Sequence, residues 1–283
     1  MSETLLSAWS AARDRLKAAG VDSPVLDARM LIEDAAGVTR LDIVTDPYRE
    51  LSAAQLSAIE AHMARRAARE PVSYILGKKA FWKSEFTVSP AVLSPRPETE
   101  LVVETALTLV GEETPARALD LGTGSGAIAI SLLIERPMLR AVGVDFSAEA
   151  LAIARFNAVA QIVADRLELR TGDWAEGLGE GAFDLVVSNP PYIRSGAIDL
   201  LAPEVSRYEP RAALDGGPDG LAAYRALAPA LARVLKPGGG FALEIGEGQA
   251  EAVWAHLDAA GLTPLGVRED LAAIPRVVFG RKA

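Results

Sequence analysis

The sequence predicts an α/β protein, in which a mostly parallel β-sheet carries helices on both faces and follows a small N-terminal helical domain and a β-hairpin linker. From position 117 onward, apolar segments of strand length alternate with helical segments, as in a parallel sheet that is buried on both faces. Residues 3–70 instead carry apolar side chains at helical spacing. We therefore predict a helical domain at residues 1–70, a linker at 71–97 and an α/β domain at 98–283.

The N-terminal domain is expected to contain about three short helices. Gly20, Gly37 and the Asp46-Pro47 pair interrupt its apolar pattern, and Ser52 has the side chain of a helix N-cap. From Val72 the pattern changes to short segments rich in aromatic and β-branched residues. The segments are 73–76, 81–82 and 85–88. Together they predict a β-hairpin or two short strands, with Gly77-Lys78-Lys79 as the turn between them.

The C-terminal domain is expected to begin with a helix near 98–110, after Pro95 and Pro97. The next elements follow in the order βαβαβ, which predicts a parallel sheet. Strands are predicted at 117–121, 141–145, 167–171, 183–188 and 241–245, with two final strands after them, and helices at 127–134, 148–159, 222–235 and 250–260. A turn is predicted at Lys236-Pro237-Gly238-Gly239.

The composition excludes several classes of protein. Half of the 283 residues are hydrophobic and 24% are charged, which is the balance of a folded globular protein. The chain has no cysteine, and this excludes disulfides, thiolate metal sites and a cysteine nucleophile. His62 and His256 stand far apart on predicted helices, so we expect packing or surface histidines and no metal site. No basic segment precedes an apolar one at the N-terminus and no run is long enough to span a membrane, which favours a cytoplasmic protein.

The charge is distributed unevenly along the chain. The net charge is −9, and residues 1–97 carry 13 basic and 12 acidic residues against 16 basic and 26 acidic in the remaining 186. The acidic net charge, concentrated in the C-terminal 186 residues, argues against a protein that gains affinity mainly by neutralising phosphates. The exception is a basic stretch, whose members are Arg65, Arg66, Arg69, Lys78, Lys79 and Lys83. A solvated helix face is the simpler interpretation of this stretch, and contact with nucleic acid stays open.

A glycine-rich loop, Gly122-Thr123-Gly124-Ser125-Gly126, follows the first predicted strand of the C-terminal domain. Such a loop lets a ligand approach bare main chain at a helix N-terminus. The dinucleotide fingerprint would need a glycine where Ala127 stands, and the spacing fits neither a Walker loop nor a nucleophile elbow around Ser125. The loop therefore predicts a cofactor that lacks a pyrophosphate.

The carboxylate expected to hold the ribose of such a cofactor is Asp145. It closes the next strand, 19 residues after Gly126, where its two oxygens can accept from both ribose hydroxyls. An N-cap for the helix that starts near Ser147 is the alternative role, although Ser147 is itself the better placed cap. Loop, carboxylate and spacing together favour S-adenosylmethionine and resemble the first two motifs of the class I methyltransferases.

A stiff turn, Asn189-Pro190-Pro191-Tyr192, ends the strand predicted at 183–188. Both prolines lack an N–H, so the turn offers acceptors: the side-chain oxygen of Asn189 and the carbonyl of Pro190, with the ring of Tyr192 beside them. A planar NH₂ group could donate to both acceptors while its plane packs on the ring. Accepting both hydrogens stabilises the positive charge that develops on this poor nucleophile during direct in-line methyl transfer, so no strong general base is needed.

The Asn-Pro-Pro-Tyr turn is similar to that of methyltransferases that act on glutamine amides, on adenine N6 and on guanine. Longer blocks resemble one family, the peptide chain release factor glutamine N5-methyltransferases (PrmC, also called HemK). The similarity runs from about residue 3 to residue 280 and is carried above all by Leu93-Ser94-Pro95-Arg96-Pro97-Glu98-Thr99-Glu100. The other blocks are Pro71-Val72-Ser73-Tyr74-Ile75-Leu76-Gly77, Phe81-Trp82, Glu85-Phe86-Thr87-Val88, Gly172-Asp173-Trp174, Glu209-Pro210-Arg211-Ala212-Ala213-Leu214-Asp215-Gly216-Gly217 and Asp219-Gly220-Leu221. Ser94 departs from the family pattern, which more often has an aliphatic residue there.

The resemblance implies a class I, Rossmann-like, seven-stranded S-adenosylmethionine-dependent methyltransferase domain behind the helical domain. It implies that Gly122, Thr123, Gly124, Ser125 and Gly126 line the methionine and ribose portions of the cofactor, that Asp145 binds the ribose hydroxyls, that Trp174 lies against the adenine and that Asn189 also touches the cofactor. Asn189, Pro190, Pro191 and Tyr192 would bind the substrate glutamine, with Asn189, Pro190 and Tyr192 as the catalytic residues.

The implied substrate is the glutamine of the Gly-Gly-Gln tripeptide in class 1 peptide chain release factors, which the helical domain helps to dock. Two other classes stay open: an adenine-N6 DNA or RNA methyltransferase, and a non-catalytic module that binds the cofactor or a translation factor. The acidic charge and the intact turn disfavour them. We expect a monomer without stable nucleic-acid binding, and we leave Glu209 and Arg211 outside the site because an ion-paired loop anchor explains them equally well.

Overall fold

The structure, a computed structural model, describes residues 3–283. It forms two compact units, of which the first comprises residues up to Gly77 together with Ala202–Tyr208, and the second comprises Lys78–Leu201 and Glu209–Ala283. The domain boundaries that the sequence places at 70 and 97 stay a prediction. Among residues 3–283, none of the helices combines the length and the apolar character that crossing a membrane requires.

The helices and strands are numbered along the chain. The helices are α1 (Leu5–Ala18), α2 (Pro24–Ala36), α3 (Arg40–Thr45), α4 (Ala53–Ala67), α5 (Val72–Leu76), α6 (Glu100–Leu109), α7 (Ala127–Glu135), α8 (Ala148–Ala160), α9 (Pro203–Ser206), α10 (Ala222–Val234) and α11 (Ala250–Ala259). The strands are β1 (Lys78–Phe81), β2 (Ser84–Thr87), β3 (Ala116–Leu121), β4 (Leu139–Asp145), β5 (Leu167–Thr171), β6 (Phe183–Ser188), β7 (Leu235–Glu244), β8 (Leu262–Glu269) and β9 (Pro275–Lys282).

The first unit is a small helical bundle around its own core. Capping boxes begin α1, α3 and α4, and the Ser52 side chain caps α4 as predicted. One face of each long helix is buried, and the fully enclosed side chains include Leu5, Leu16, Leu31 and Ile32. The amphipathic spacing in the sequence therefore identified the packing faces of α1, α2 and α4.

An ionic cluster fastens the segment Ala202–Tyr208 into the first unit. Arg66 is buried and pairs with Asp27 at 2.8 Å and with Glu204 at 2.9 Å, while Arg69 forms a two-pronged pair with the same Glu204 carboxylate. The interpretation of the basic stretch as a solvated face is wrong for Arg66, because this side chain is only 6% exposed. Its charge is neutralised within the unit, as buried guanidinium groups require.

Residues 72–76 form the helix α5 and no strand, so the predicted first strand of the hairpin is wrong. Pro71 starts the helical turn and Gly77 ends it in the left-handed conformation, with φ of 71°. A short apolar run does not by itself distinguish a strand from a helical turn. The β-hairpin itself is confirmed, but it pairs β1 with β2 and turns at Trp82 and Lys83 rather than at Gly77-Lys78-Lys79.

The second unit contains a seven-stranded sheet with the order β5-β4-β3-β6-β7-β9-β8. The first five strands are parallel, and β9 runs antiparallel between β7 and β8. Helices α6, α7 and α8 contribute to the core on one face, and α10 and α11 to the core on the other. The seven-stranded α/β fold predicted from the sequence is thus confirmed.

The turn predicted at Lys236-Pro237-Gly238-Gly239 is part of a longer strand. β7 starts at Leu235, and its pairing with β6 jumps from Phe183–Leu235 to Leu185–Gly240, so the intervening residues form a bulge. Gly238 has φ of 76°, which only glycine adopts without strain. The glycines and proline that predicted a turn therefore mark an irregularity within a strand.

Candidate active site

A cavity of about 440 Å³ lies in the second unit, beyond the carboxyl ends of β3, β4, β5 and β6. Ligands of open α/β sheets collect at this edge. Among the predicted site residues, the cavity is lined by Gly122, Thr123, Gly124, Ser125, Asp145, Trp174, Asn189 and Pro191. Gly126, Pro190 and Tyr192 are not part of this lining; Gly126 and Pro190 are buried and Tyr192 is half-buried.

All three glycines of the loop adopt positive φ angles: 73° at Gly122, 54° at Gly124 and 80° at Gly126. A side chain added at Gly124 would meet nothing within 4 Å, whereas one at Gly126 would come within 2.8 Å of Ile130 in α7. Gly122 and Gly124 therefore keep the main chain bare towards the cavity, and Gly126 permits close packing at the start of α7.

Asp145 fastens the loop to the end of β4. Its Oδ2 accepts from the backbone N–H of Gly124 at 2.9 Å, and its Oδ1 accepts from the N–H of Ser147 at 3.0 Å. Ser147 caps α8 through Ala150, as the sequence indicated. Each carboxylate oxygen retains a lone pair for a ligand hydroxyl.

Asp120 is a buried carboxyl below the loop that the sequence analysis missed. Its Oδ2 accepts from the Thr123 hydroxyl at 2.7 Å and from the Ala129 N–H at 3.3 Å, and its Oδ1 has no partner. Burial raises the pKa of Asp120 to about 7, against the hydrogen bonds from Thr123 and Ala129, with Asp145 adding to the rise. A charged residue inside the apolar strand β3 was the available signal.

Asn157 of α8 is a second supporting residue that the sequence did not reveal. It is buried, and its Nδ2 donates to the carbonyls of Ser125 and Thr87 at 2.9 and 3.0 Å. Its Oδ1 accepts from the N–H of Thr87 at 2.8 Å. One amide side chain thus joins the glycine loop to β2 and leaves none of its hydrogen-bonding atoms unsatisfied.

The acceptor turn begins at Asn189, directly after β6. The hydroxyl of Ser188 donates to the carbonyl of Leu121 at 2.6 Å and ties the ends of β6 and β3 together. The Nδ2 of Asn189 donates to the hydroxyl oxygen of Thr99 at 3.0 Å. This contact turns the Oδ1 of Asn189 away from Thr99 and leaves it to accept from another donor.

Tyr192 contacts a buried carboxyl that the sequence analysis also missed. Its hydroxyl donates to Oε1 of Glu244, at the end of β7, at 3.2 Å. Burial, together with the Glu244 carboxylate, raises the pKa of Tyr192 above its ordinary value. Burial also raises the pKa of Glu244 to about 7, although hydrogen bonds from Thr99 and Tyr192 oppose the rise. As with Asp120, a carboxylate inside an apolar strand was the available signal.

Glu209 makes the kind of ion pair that a loop anchor would make. Its carboxylate is buried and pairs with Arg96, and burial raises its pKa to about 7 against the attraction of Arg96. Arg211 lines the cavity and pairs with Asp199 at 3.0 Å. The two blocks around Arg96 and Glu209 therefore meet at the mouth of the cavity.

The fold and the site define a class I, S-adenosylmethionine-dependent methyltransferase. The fold is similar to a methyltransferase from Pyrococcus furiosus, with a TM-score of 0.54, 18% identity and coverage of 79% of this chain and 99% of that one. The family model described as a methyltransferase small domain matches residues 98–204, and the one described as the PrmC N-terminal domain matches residues 7–77.

Curated relatives specify the family further. The release factor glutamine methyltransferase of Caulobacter vibrioides is 56% identical over 282 residues, which is 100% of this chain and 98% of that protein. The protein of the same name from Cereibacter sphaeroides is 46% identical and covers 97% of each chain. The chain belongs to the release factor glutamine methyltransferase family.

Proposed function

We propose that this chain methylates the side-chain amide nitrogen, N5, of the glutamine in the Gly-Gly-Gln tripeptide of class 1 peptide chain release factors. Membership of the release factor glutamine methyltransferase family supports a release factor glutamine as the methyl acceptor. The observation of this structure that best supports the chemistry is the orientation of Asn189, whose Nδ2 is held by Thr99. Its Oδ1 is thereby left as an acceptor for a planar NH₂ group.

The cavity fits S-adenosylmethionine. Bare main chain at Gly122 and Gly124 leaves room where any side chain would project, and the Asp145 carboxylate stands at the end of β4. We propose that the loop residues Gly122 to Gly126 hold the methionine and ribose portions, with Asp145 on the ribose hydroxyls, Trp174 on the adenine and Asn189 also in contact. The cofactor, when bound, supplies an electrophilic methyl group.

The chain's own residues prepare the acceptor. The Oδ1 of Asn189 and the carbonyl of Pro190 would accept the two amide hydrogens, and the ring of Tyr192 would pack on the amide plane, with Pro191 stiffening the turn. An amide nitrogen is a weak nucleophile because its lone pair is delocalised. Two well-placed acceptors favour the positively charged nitrogen of the transition state more than the neutral ground state, so they accelerate transfer without a strong base.

Further proposals concern the whole protein. We propose that residues 1–70 form the domain that helps to dock the release factor, that 71–97 link it, and that 98–283 carry out catalysis. The acidic charge of residues 98–283 suits a basic protein surface better than a phosphate backbone. We also propose a cytoplasmic monomer without stable nucleic-acid binding, and light scattering of the purified chain tests the oligomeric state.

The deciding experiment compares methyl transfer from radiolabelled S-adenosylmethionine to three acceptors: a purified release factor, its Gln→Ala variant in the Gly-Gly-Gln tripeptide, and duplex DNA. We expect label on the intact factor alone. Label on DNA would support the adenine-N6 alternative. Binding of the cofactor without label on any acceptor would support a non-catalytic module, and label on the Gln→Ala variant would contradict the assigned glutamine.

A further inference from the structure

The segment 214–220 lies directly against the end of the acceptor turn. The N–H of Gly216 donates to the carbonyl of Ile193 at 2.8 Å. A side chain added at Gly216 would come within 2.8 Å of the Cα of Tyr192, and one added at Gly220 within 2.5 Å of the Tyr192 carbonyl oxygen. Both positions therefore need glycine, because the main chains of the turn and of this segment are in contact.

Gln249, the residue before α11, joins three main-chain groups through one side-chain amide. Its Oε1 accepts from the N–H of Gly246 at 2.9 Å, and its Nε2 donates to the carbonyls of Tyr192 and Gly220 at 3.0 and 3.1 Å. Both hydrogens of the NH₂ group are thus used, and the amide oxygen has a partner as well. The last residue of the acceptor turn is thereby bonded to a side chain 57 positions further along the chain.

The three partners fix the orientation of the Gln249 amide. The N–H of Gly246 can only donate and the two carbonyls can only accept, so a reversed amide would set donor against donor and acceptor against acceptor. The backbone holds the side chain in place too, since the N–H of Gln249 donates to the carbonyl of Gly246 at 3.1 Å. The amide therefore joins the turn to the end of β7 in a single arrangement.

The ring of Tyr192 is held by the same part of the sheet. Its hydroxyl donates to Oε1 of Glu244, the last residue of β7, at 3.2 Å. A side chain added at Gly246 would come within 3.0 Å of the ring carbon Cδ2. Main chain, ring edge and hydroxyl are thus each in contact with residues 244–249, which together determine where the ring lies.

We propose that Gln249 is a positioning residue for methyl transfer: by bonding the Tyr192 carbonyl to Gly220 and to the end of β7, it holds the acceptor turn so that the Tyr192 ring can pack on the acceptor amide. This inference rests on the proposed function. Gln249 is not among the residues that line the cofactor cavity, so its effect passes through Tyr192. A misplacement of about 1 Å at a reacting group can cost about 100-fold in rate.

The first test compares Gln249→Met and Gln249→Glu with the matched control Gln161→Met. Methionine removes all three bonds at similar length, whereas an ionised glutamate keeps the acceptor for Gly246 and loses both donors. Gln161 is also half-buried and donates its Nε2 to the carbonyl of Glu85 at 3.0 Å, away from the turn. We expect kcat to fall about 10- to 100-fold in both Gln249 variants and to stay at the wild-type value in Gln161→Met. The Kd for S-adenosylmethionine and the KM for the release factor should change by less than about twofold.

A second test approaches the same attachment from the other side. In Gly220→Ala, the new methyl group would come within 2.5 Å of the Tyr192 carbonyl oxygen and 2.7 Å of Nε2 of Gln249, at φ of 78°. Gly238→Ala is the control, because Gly238 has φ of 76° and nothing within 4 Å of an added side chain. We expect kcat to fall in Gly220→Ala only. The Gly220→Ala/Gln249→Met double variant should be no slower than the slower single variant, since both changes break one attachment.

Amide hydrogen exchange, followed by NMR, needs neither cofactor nor turnover. The N–H of Ile193 belongs to the same peptide group as the Tyr192 carbonyl, so it should exchange faster in both Gln249 variants and at the wild-type rate in Gln161→Met. The N–H of Gly246 should exchange faster in Gln249→Met and stay protected in Gln249→Glu. This difference separates loss of the donors from general loosening.

An unchanged kcat in Gln249→Met, a loss confined to cofactor affinity, an equal loss in Gln161→Met or unchanged exchange at Ile193 would overturn the proposal. If Gln249→Met does not fold, Gln249→Glu and Gly220→Ala decide by the same measurements. If the wild-type chain fails to methylate the release factor, the proposed function fails. The exchange rates then still decide whether Gln249 holds the turn.

Discussion

Gly124 donates its backbone N–H to Oδ2 of Asp145 at 2.9 Å, so the glycine loop after β3 and the carboxylate at the end of β4 are fastened to each other. Two motifs that stand 21 residues apart in the chain therefore form one binding surface. Changing the carboxylate should disturb the loop as well as any contact that the carboxylate itself makes.

Asp145→Asn should weaken S-adenosylmethionine binding about 10- to 100-fold, since the amide can accept from Gly124 or from Ser147 but not from both, and a lost buried hydrogen bond costs ~1–3 kcal/mol. Titration calorimetry measures this Kd. Asp165→Asn, an exposed position before β5, is the control and should bind normally. Equal affinity in the two variants would contradict the role of Asp145.

Asn189→Ala should abolish turnover, because it removes the side-chain acceptor of the substrate amide, and kcat should fall by about 10³-fold or more. Docking of the release factor should be largely retained, since the change is confined to one side chain in the cavity. Single-turnover methyl transfer gives the rate, and a pull-down or calorimetry gives the affinity for the factor. Normal turnover in this variant would refute the proposed role of the turn.

Gly126→Ala should destabilise the second unit by about 1–3 kcal/mol. The backbone at position 126 has φ of 80°, and the new methyl group would come within 2.8 Å of Ile130 and 3.3 Å of Ala154. Gly261→Ala has the same φ of 80° but open space around it, so it isolates the conformational part of the cost. Urea unfolding measures both, and a similar loss in the two variants would show that packing at Gly126 contributes nothing.

The free energy of unfolding should fall as the pH rises from about 4 to about 7. Asp120, Glu209 and Glu244 have pKa values raised to about 7, so the folded protein holds protons that the unfolded chain releases at lower pH. Asp42 and Asp219, with pKa values lowered to about 2, contribute stability that is already nearly complete at about pH 4 and stays constant as the pH rises further.

Asp120→Asn should flatten this dependence. Comparing urea unfolding at about pH 5 and about pH 8 measures it in both proteins. The groups that face Asp120 are the Thr123 hydroxyl, the Ala129 N–H and the Asp145 carboxylate. An equally steep pH dependence in the variant would mean that Asp120 is ionised throughout this range.

Glu204→Gln should destabilise the first unit by about 1–3 kcal/mol, because it leaves buried guanidinium charge without its carboxylate. Arg69 would lose its two-pronged partner, and Arg66 would keep the carboxylate of Asp27 and the backbone carbonyl of Glu70. Glu60→Gln removes an exposed partner of Arg15 instead and should cost less than about 1 kcal/mol. Chemical denaturation followed by circular dichroism compares the two, and equal losses would remove any special role for the buried cluster.

The glycine loop, Asp145 and the acceptor turn could be predicted because each is a local motif at the end of a strand, and parallel strands bring their carboxyl ends to one edge. The contacts of Asn189 with Thr99 and of Tyr192 with Glu244 could not be predicted in the same way. The first pair is separated by 90 positions and the second by 52, and Glu244 comes near the turn because β7 lies beside β6 in the sheet order. The signal in the sequence was weaker: a carboxylate inside an otherwise apolar strand, which needs a buried partner.

The wrong strand at 73–76 has a local cause. A serine followed by three apolar or aromatic residues fits either a strand or one turn of helix. The flanking Pro71 and Gly77 were the better guide, since proline at a helix start and glycine at its end are the signals that α5 obeys.

The return of Ala202–Tyr208 to the first unit bears on how this chain can be engineered. A fragment that ends at Gly77 would lack Glu204, and the complementary fragment would carry Glu204 without Arg66 and Arg69. A single cleavage or truncation thus yields two incomplete pieces rather than two independent domains. In chimeras between relatives, the exchangeable block is discontinuous: the N-terminal helices and the seven residues 202–208 have to be inherited together.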